Sequence, residues 1–193
     1  TTAFGSIAEN QTAIGTLAAT DVDSDTVSFA ITGGDDQGKF TLSGTTLAFN
    51  FSPDFESPAD IGTNNVYEVQ ITATDDGTGA LTDVETVSVT VISVNEAPVI
   101  TTTAFGSIAE NQTAIGTLAV TDDTGDSVAF TITGGVDSDK FAVSGSTLAF
   151  DGFTPNFESP TGGSGNNSNT YEVQITATDG GSLTDVETVS VTV

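Results

Sequence analysis

Cysteine and histidine are both missing from the 193 residues. With them go disulfides, thiolate chemistry and the imidazole base of Ser-His and Cys-His nucleophilic sites. A zinc site is left without its preferred ligands. Tryptophan and methionine are missing as well, and positive charge nearly so. Lys39 and Lys140 stand against 27 Asp and Glu residues, for a formal net charge of -25. Nucleic acid is bound largely through cations that neutralise phosphates, so this chain would be repelled by it. Anionic membrane surfaces are excluded by the same argument, and no apolar run approaches the roughly 20 residues that cross a bilayer. With neither a leader-like segment nor an initiator Met, the sequence is expected to be a piece of a longer protein.

What is present suits a folded β protein. Hydrophobic residues make up 36% of the chain, enough for a core despite the charge. Val, Ile, Thr and Phe dominate, and these favour strands. The natural partners of so acidic a surface are cations. The plainer alternative is that the charge only keeps a secreted protein soluble.

Internal repetition sets the organisation. TTAFGSIAENQTAIGTLA occupies residues 1–18 and recurs unchanged at 102–119. YEVQITATD recurs at 67–75 and 171–179, and LTDVETVSVTV at 81–91 and 183–193. A period of about 100 residues is a whole domain rather than a solenoid unit. Two tandem domains are expected, 1–95 and 96–193, joined by the short segment ISVNEAPVI, in which Pro98 limits bending.

Within each copy apolar residues alternate at period two, as in Val27, Phe29, Ile31 and in Tyr67, Val69, Ile71. Asp- and Gly-rich turn signals fall between such rows. In the first copy the pattern predicts strands over 3–7, 14–20, 27–32, 40–42, 46–49, 67–74 and 85–92. Seven short strands in this length predict an all-β fold, a two-sheet immunoglobulin-like sandwich.

Seven is odd, so a chain running up and down would enter at one pole and leave at the other, and tandem copies would stack end to end. The same parity assigns loops to poles. Glu9, Asp54 and Glu56 of the first copy fall at its exit pole, beside Asn95 and Glu96 of the joint. Asp122, Asp123 and Asp179 of the second copy fall at the facing pole, with Asp126 close by. Two like charges at 4 Å repel by about 1 kcal/mol in water and by about 4 kcal/mol at an effective dielectric of 20. Such a cluster calls for counter-ions. Calcium takes 6 to 8 oxygen ligands in loose geometry, whereas magnesium holds its waters in a strict octahedron. Calcium is the better match.

The same residues carry a family resemblance. Ala8-Glu9-Asn10 followed by Ile14-Gly15-Thr16 resembles the cadherin segment Pro-Glu-Asn, hydrophobic residue, Gly, Thr. Ala19-Thr20-Asp21-Val22-Asp23 resembles Ala-Thr-Asp-x-Asp, and Asp54-Phe55-Glu56 resembles Asp-Arg-Glu or Asp-Tyr-Glu. Ala73-Thr74-Asp75 and Val94-Asn95-Glu96-Ala97-Pro98 resemble the later Ala-x-Asp motif and the inter-repeat linker. The resemblance covers both copies and implies cadherin-like repeats, of the type found in large bacterial surface and secreted proteins. It implies calcium ligation by Glu9, Asp54, Glu56, Asn95, Glu96, Asp122 and Asp179. Asp21, Asp23 and Asp75 would form a half-site awaiting a preceding repeat, and Glu110 and Glu158 one awaiting a following repeat. Ser93 stands where the linker usually has Asp, and Asp122-Asp123-Thr124 departs from Asp-x-Asp, so fewer ions than in animal cadherin joints are expected.

The resulting expectation is an extracellular or cell-surface module for calcium-stiffened adhesion or spacing. Its partners would be calcium ions, neighbouring repeats, and either a homophilic or a cell-surface polysaccharide partner. The alternative is a carbohydrate-binding accessory module. Against it, Tyr67, Tyr171, Phe55 and Phe157 read as core residues rather than exposed platforms. Catalysis by an Asp54–Glu56 carboxylate pair is disfavoured because the second copy has Asn156 and Glu158 there. Asp126, Asp35 and Asp36 read as solvated turn residues.

Overall fold

The sustained alternations become strands in the computed structural model, which describes residues 3–163, 165 and 167–193. The chain divides into two compact units, Thr1–Val94 and Asn95–Val193. The first carries β1 (Ala3–Ala8), β2 (Ala13–Thr16), β3 (Val27–Gly33), β4 (Phe40–Ser43), β5 (Thr46–Phe49), β6 (Val66–Asp75) and β7 (Thr82–Ile92). One sheet has the order β1-β7-β6-β3 and the other β2-β5-β4. β1 lies parallel to β7, and the remaining pairs are antiparallel.

Every second residue of the central strands points inward. Tyr67, Val69 and Ile71 of β6 and Val87, Val89 and Val91 of β7 share one core with Leu17, Phe40, Leu47 and Phe49. Each such side chain contributes about 1.5–3 kcal/mol by leaving water. Tyr67 is fully buried, edge-on to Phe49 at 4.9 Å between ring centroids, and its hydroxyl accepts the N–H of Ala59 at 3.0 Å. Burial pushes the Tyr67 phenol above its usual value.

The second unit repeats the plan with β8 (Val99–Ile100), β9 (Ala104–Ser107), β10 (Ala114–Thr117), β11 (Val120–Thr121), β12 (Ala129–Gly134), β13 (Phe141–Ser144), β14 (Thr147–Phe150), β15 (Thr170–Thr178) and β16 (Thr184–Thr192). Its sheets are β12-β15-β16-β9 and β10-β14-β13, with a further pair, β11-β8. Both units are all-β sandwiches.

Strand limits differ from the sequence reading by more than one residue in two places. The second strand, expected to reach residue 20, ends at Thr16, and 17–20 run on without a ladder. The seventh starts at Thr82 instead of 85, because Asp75 N–H bonds the Leu81 carbonyl and closes the turn tightly. Phe157, expected in the core, is 55% exposed, whereas Phe55 packs against the first core.

Asp36 and its counterpart Asp137 are buried fasteners rather than solvated turn residues. Asp36 accepts the N–H groups of Ile61 and Glu68 at 2.8 and 2.9 Å. Asp137, with no exposed surface, accepts those of Gly163 and Glu172 and pairs with Lys140 at 3.1 Å. Each ties the loop after β5 or β14 to the start of the next long strand.

Candidate metal centres

In the first unit the turn after β1 brings Glu9 into a buried position, 2% exposed. Asn10, in the left-handed region at φ 62°, turns the chain back and hands its N–H to the Pro53 carbonyl. The Glu9 carboxylate accepts the N–H of Phe55 at 2.8 Å through one oxygen and that of Val94 at 2.7 Å through the other. One side chain thereby fixes both the loop after β5 and the segment leaving β7. Asp54 accepts the N–H of Ser57 at 2.9 Å, which curls that loop. The Asn65 amide donates to the Phe55 carbonyl at 2.9 Å and holds it from behind. The outcome is that Glu9, Asp54 and Glu56 each present a carboxylate oxygen, all within 4.8 Å of one another.

In the second unit the group is Asp122, Asp126 and Asp179, again within 4.8 Å. Asp179 is 6% exposed and takes the N–H of Leu183 at 2.8 Å. Its other oxygen accepts the Asn95 amide at 2.9 Å. A Cβ at Gly181 would come within 2.6 Å of that amide, so Asn95 lies directly on this turn. Asp123 accepts the N–H of Glu96 at 2.9 Å, drawing the linker residue to the same region.

Asp122 is the unusual member. Both its carboxylate oxygens are buried and neither has a hydrogen-bond partner. Burial pushes its carboxyl above the usual 3.8, and the Asp179, Asp123 and Asp126 charges push the same way; the backbone of Asp123 opposes them. Buried polar groups are nearly always satisfied, and an anion even more so. Two unpaired anionic oxygens facing two further carboxylates form an oxygen-rich, electronegative pocket suited to a hard cation.

The remaining expected residues divide. In the second unit Glu110 accepts the N–H of Phe157 at 3.0 Å, and Asn156 that of Ser159 at 2.9 Å. This reproduces the Glu9 arrangement, with an amide where Asp54 is charged, and Glu158 is exposed. In the first unit Asp21 turns an oxygen inward to the N–H groups of Asp23 and Asp25, and Asp75 to those of Gly77 and Leu81. Asp21, Asp23 and Asp75 are not among the groups that converge within 4.8 Å among the described residues. Asp25 lies beside Asp21, Asp75 and Asp76. Burial first, then the Asp21, Asp76 and Asp75 charges, raise its carboxyl above 3.8.

Sequence reasoning set Asp126 aside as a solvated turn residue, yet it belongs to the second group. A signal was available. Asp126 and Asp25 hold the same place in the two copies, and acidity kept at matched positions of a repeat is informative.

This two-sheet architecture is that of cadherin extracellular repeats. Three solved structures show the likeness. A Drosophila N-cadherin fragment of repeats 1–4 superposes with a TM-score of 0.63 at 22% identity, over 99% of this chain and 47% of that one. Human protocadherin-24 repeats 1–2 give 0.67 at 17% identity, over 99% and 93%. Mouse cadherin-23 repeats 22–24 give 0.60 at 18%, over 100% and 63%. No protein-family model and no curated protein matches the sequence. The chain has the cadherin-repeat fold. Among the described residues no helix is long and apolar enough to cross a membrane.

Proposed function

We propose that this chain is a calcium-binding pair of repeats from a large extracellular or cell-surface protein, serving calcium-stiffened adhesion or spacing. The observation that carries the reading is Asp122, whose two buried oxygens lack partners beside Asp126 and Asp179. Glu9, Asp54 and Glu56 would hold calcium in the first unit. Asp122, Asp126 and Asp179 would do so in the second, with the Asn95 carbonyl oxygens, Glu96 and Asp123 close at hand. The ion would supply charge neutralisation and rigidity rather than chemistry.

Extracellular calcium modules bind with dissociation constants of about 10⁻⁴–10⁻³ M. Calorimetric titration with calcium should detect sites in that range. Asp122→Asn should weaken them about tenfold or more, by removing a ligand charge. Glu56→Ala should cost more affinity than Glu158→Ala, which faces an uncharged Asn156. An unchanged titration for Asp122→Asn would remove the second group from the calcium sites, and equal losses for the two glutamates would contradict the role given to Glu56.

A further inference from the structure

Asp followed by Gly occurs in the chain at 76–77, 151–152 and 179–180. This pair can rearrange without any partner molecule. The Gly backbone nitrogen attacks the carboxyl carbon of the Asp side chain, and a cyclic imide forms as water leaves. Water then opens the ring at either carbonyl. The chain returns to Asp or continues through the side chain as β-linked isoaspartate. The attack needs a carboxyl free to swing back and a nitrogen free to meet it, and Gly helps because no Cβ hinders its backbone.

The fold withholds those conditions from the first pair and the third. Asp76 is exposed, but its carboxylate accepts the N–H of Thr26 at 2.7 Å, and the Gly77 N–H is donated to Asp75 at 3.1 Å. Asp179 is 6% exposed, and its two oxygens accept the Leu183 N–H and the Asn95 amide. Asp151 is different. It lies exposed just past β14, and among the described residues neither its carboxylate nor the Gly152 N–H has a hydrogen-bond partner. Gly152 stands at φ +60° with open space around it. The first repeat has Asn50 at this place, followed directly by Phe51, and the Asn50 amide is anchored to the Gly38 carbonyl at 2.7 Å. A carboxylate cannot donate that bond.

We propose that Asp151–Gly152 is a site of spontaneous isoaspartate formation in the folded protein. The change inserts one carbon into the backbone between Phe150 and Phe153. Phe153 packs against Phe150 and Tyr171, each at 5.3 Å between ring centroids, so the altered loop loosens that cluster in the second unit. No ion enters the chemistry, and the inference stands apart from the calcium reading.

The test incubates the full chain at neutral pH in chelator, so that no bound ion shields Asp179, beside a second sample unfolded in urea. Chymotryptic peptides are read by electron-transfer mass spectrometry, which tells β-linked from α-linked aspartate. In the folded chain isoaspartate should form at 151 at least about tenfold faster than at 76 or 179, where freeing the carboxylate breaks a charge-assisted hydrogen bond. In urea the three positions should react at similar rates. Gly152→Ala should slow position 151 by about tenfold or more, because a Cβ crowds the attacking nitrogen. The isoaspartate form, separated by chromatography, should unfold at a lower denaturant concentration than the fresh chain. No isoaspartate at 151 in the folded chain would overturn the proposal, as would equal rates there at 76 or 179. Reaction confined to 151 in urea as well would overturn it too, since the fold would then not be the cause. An unchanged midpoint for the isoaspartate form would contradict the loosening of the Phe153 cluster.

Discussion

Glu9 and Glu110 occupy the same position in two copies of one sequence, and their surroundings set them apart. Glu9 is 2% exposed and accepts the N–H groups of Phe55 and Val94, whereas Glu110 is only half-buried and accepts that of Phe157. A buried donor left without its acceptor costs about 1–3 kcal/mol. Glu9→Ala should therefore destabilise the first unit by about 2–4 kcal/mol, and Glu110→Ala the second by about 1 kcal/mol. Part of the Glu9 loss is offset without metal, because Asp54 and Glu56 lose a repelling neighbour. Thermal unfolding should show a larger loss for Glu9→Ala in calcium than in chelator, and equal losses in both would argue against a metal role. Lys140 gives a second test at this scale. Burial works to lower its pKa, but the hydrogen bond and charge of buried Asp137, with Asp139, more than offset this and hold the ammonium above 10.5. A lysine raised in the folded state stabilises fully below its unfolded value, and that contribution is lost as pH rises through the folded value. Lys140→Met should cost about 2 kcal/mol at neutral pH and reduce the alkaline loss of stability above pH 10.5. The buried Tyr67 phenol, raised in the folded state, adds to the alkaline loss in the same direction. Denaturant melts at pH 7 and pH 11 check both points.

At the scale of elements, the strands were legible where alternation was sustained. Tyr67, Val69, Ile71 and Val87, Val89, Val91 announced β6 and β7 because both are central strands with one face buried. The limits of shorter strands were not legible, since Thr and Ala at 17–20 fit a ladder equally well, and only the presence of β8 decides that 120–121 pair. Nor could the sequence separate Asp36 and Asp137, tied to backbone N–H groups across long loops, from ordinary turn residues. Phe157 and Phe55 are both followed by Glu-Ser-Pro, so the local sequence does not tell the exposed ring from the packed one. Glycine offers the test of the strand geometry. Gly34, at φ +101°, follows the irregularity in β3, and a Cβ there would lie 2.6 Å from the Val69 Cα and 2.8 Å from the Glu68 oxygen. Those are backbone atoms of β6, so a methyl group forces the two strands apart. Gly44, at φ +58°, has open space around it. Gly44→Ala should cost about 1 kcal/mol for its left-handed conformation alone. Gly34→Ala should cost at least about 3 kcal/mol, because the overpacking is against backbone. Chemical denaturation of the two variants would show the difference, and similar midpoints would contradict this packing.

For the whole molecule, repetition made the two-domain plan legible, while the partners of individual carboxylates were not. Strand parity pointed to Glu9, Asp54, Glu56, Glu96, Asp122, Asp123 and Asp179, with Asp126 close by, and among the described residues Glu96 and Asp123 fall outside the two groups of carboxylates that lie within 4.8 Å. It could not rank Asp126 above Asp123, because parity assigns a loop to a pole and says nothing of which side chains in that loop turn inward. An acidic chain with two cations and a net charge of -25 resists its own compaction, and counter-ions bound to the folded state relieve this. Calcium binding to the native state alone adds about 2.7 kcal/mol per site at 100 times the dissociation constant. The most direct test of that account is thermal unfolding of the full chain in calcium, in magnesium and in excess chelator. The melting temperature should rise by several degrees in calcium over chelator, with magnesium close to chelator. Three coincident curves would contradict calcium binding at these groups.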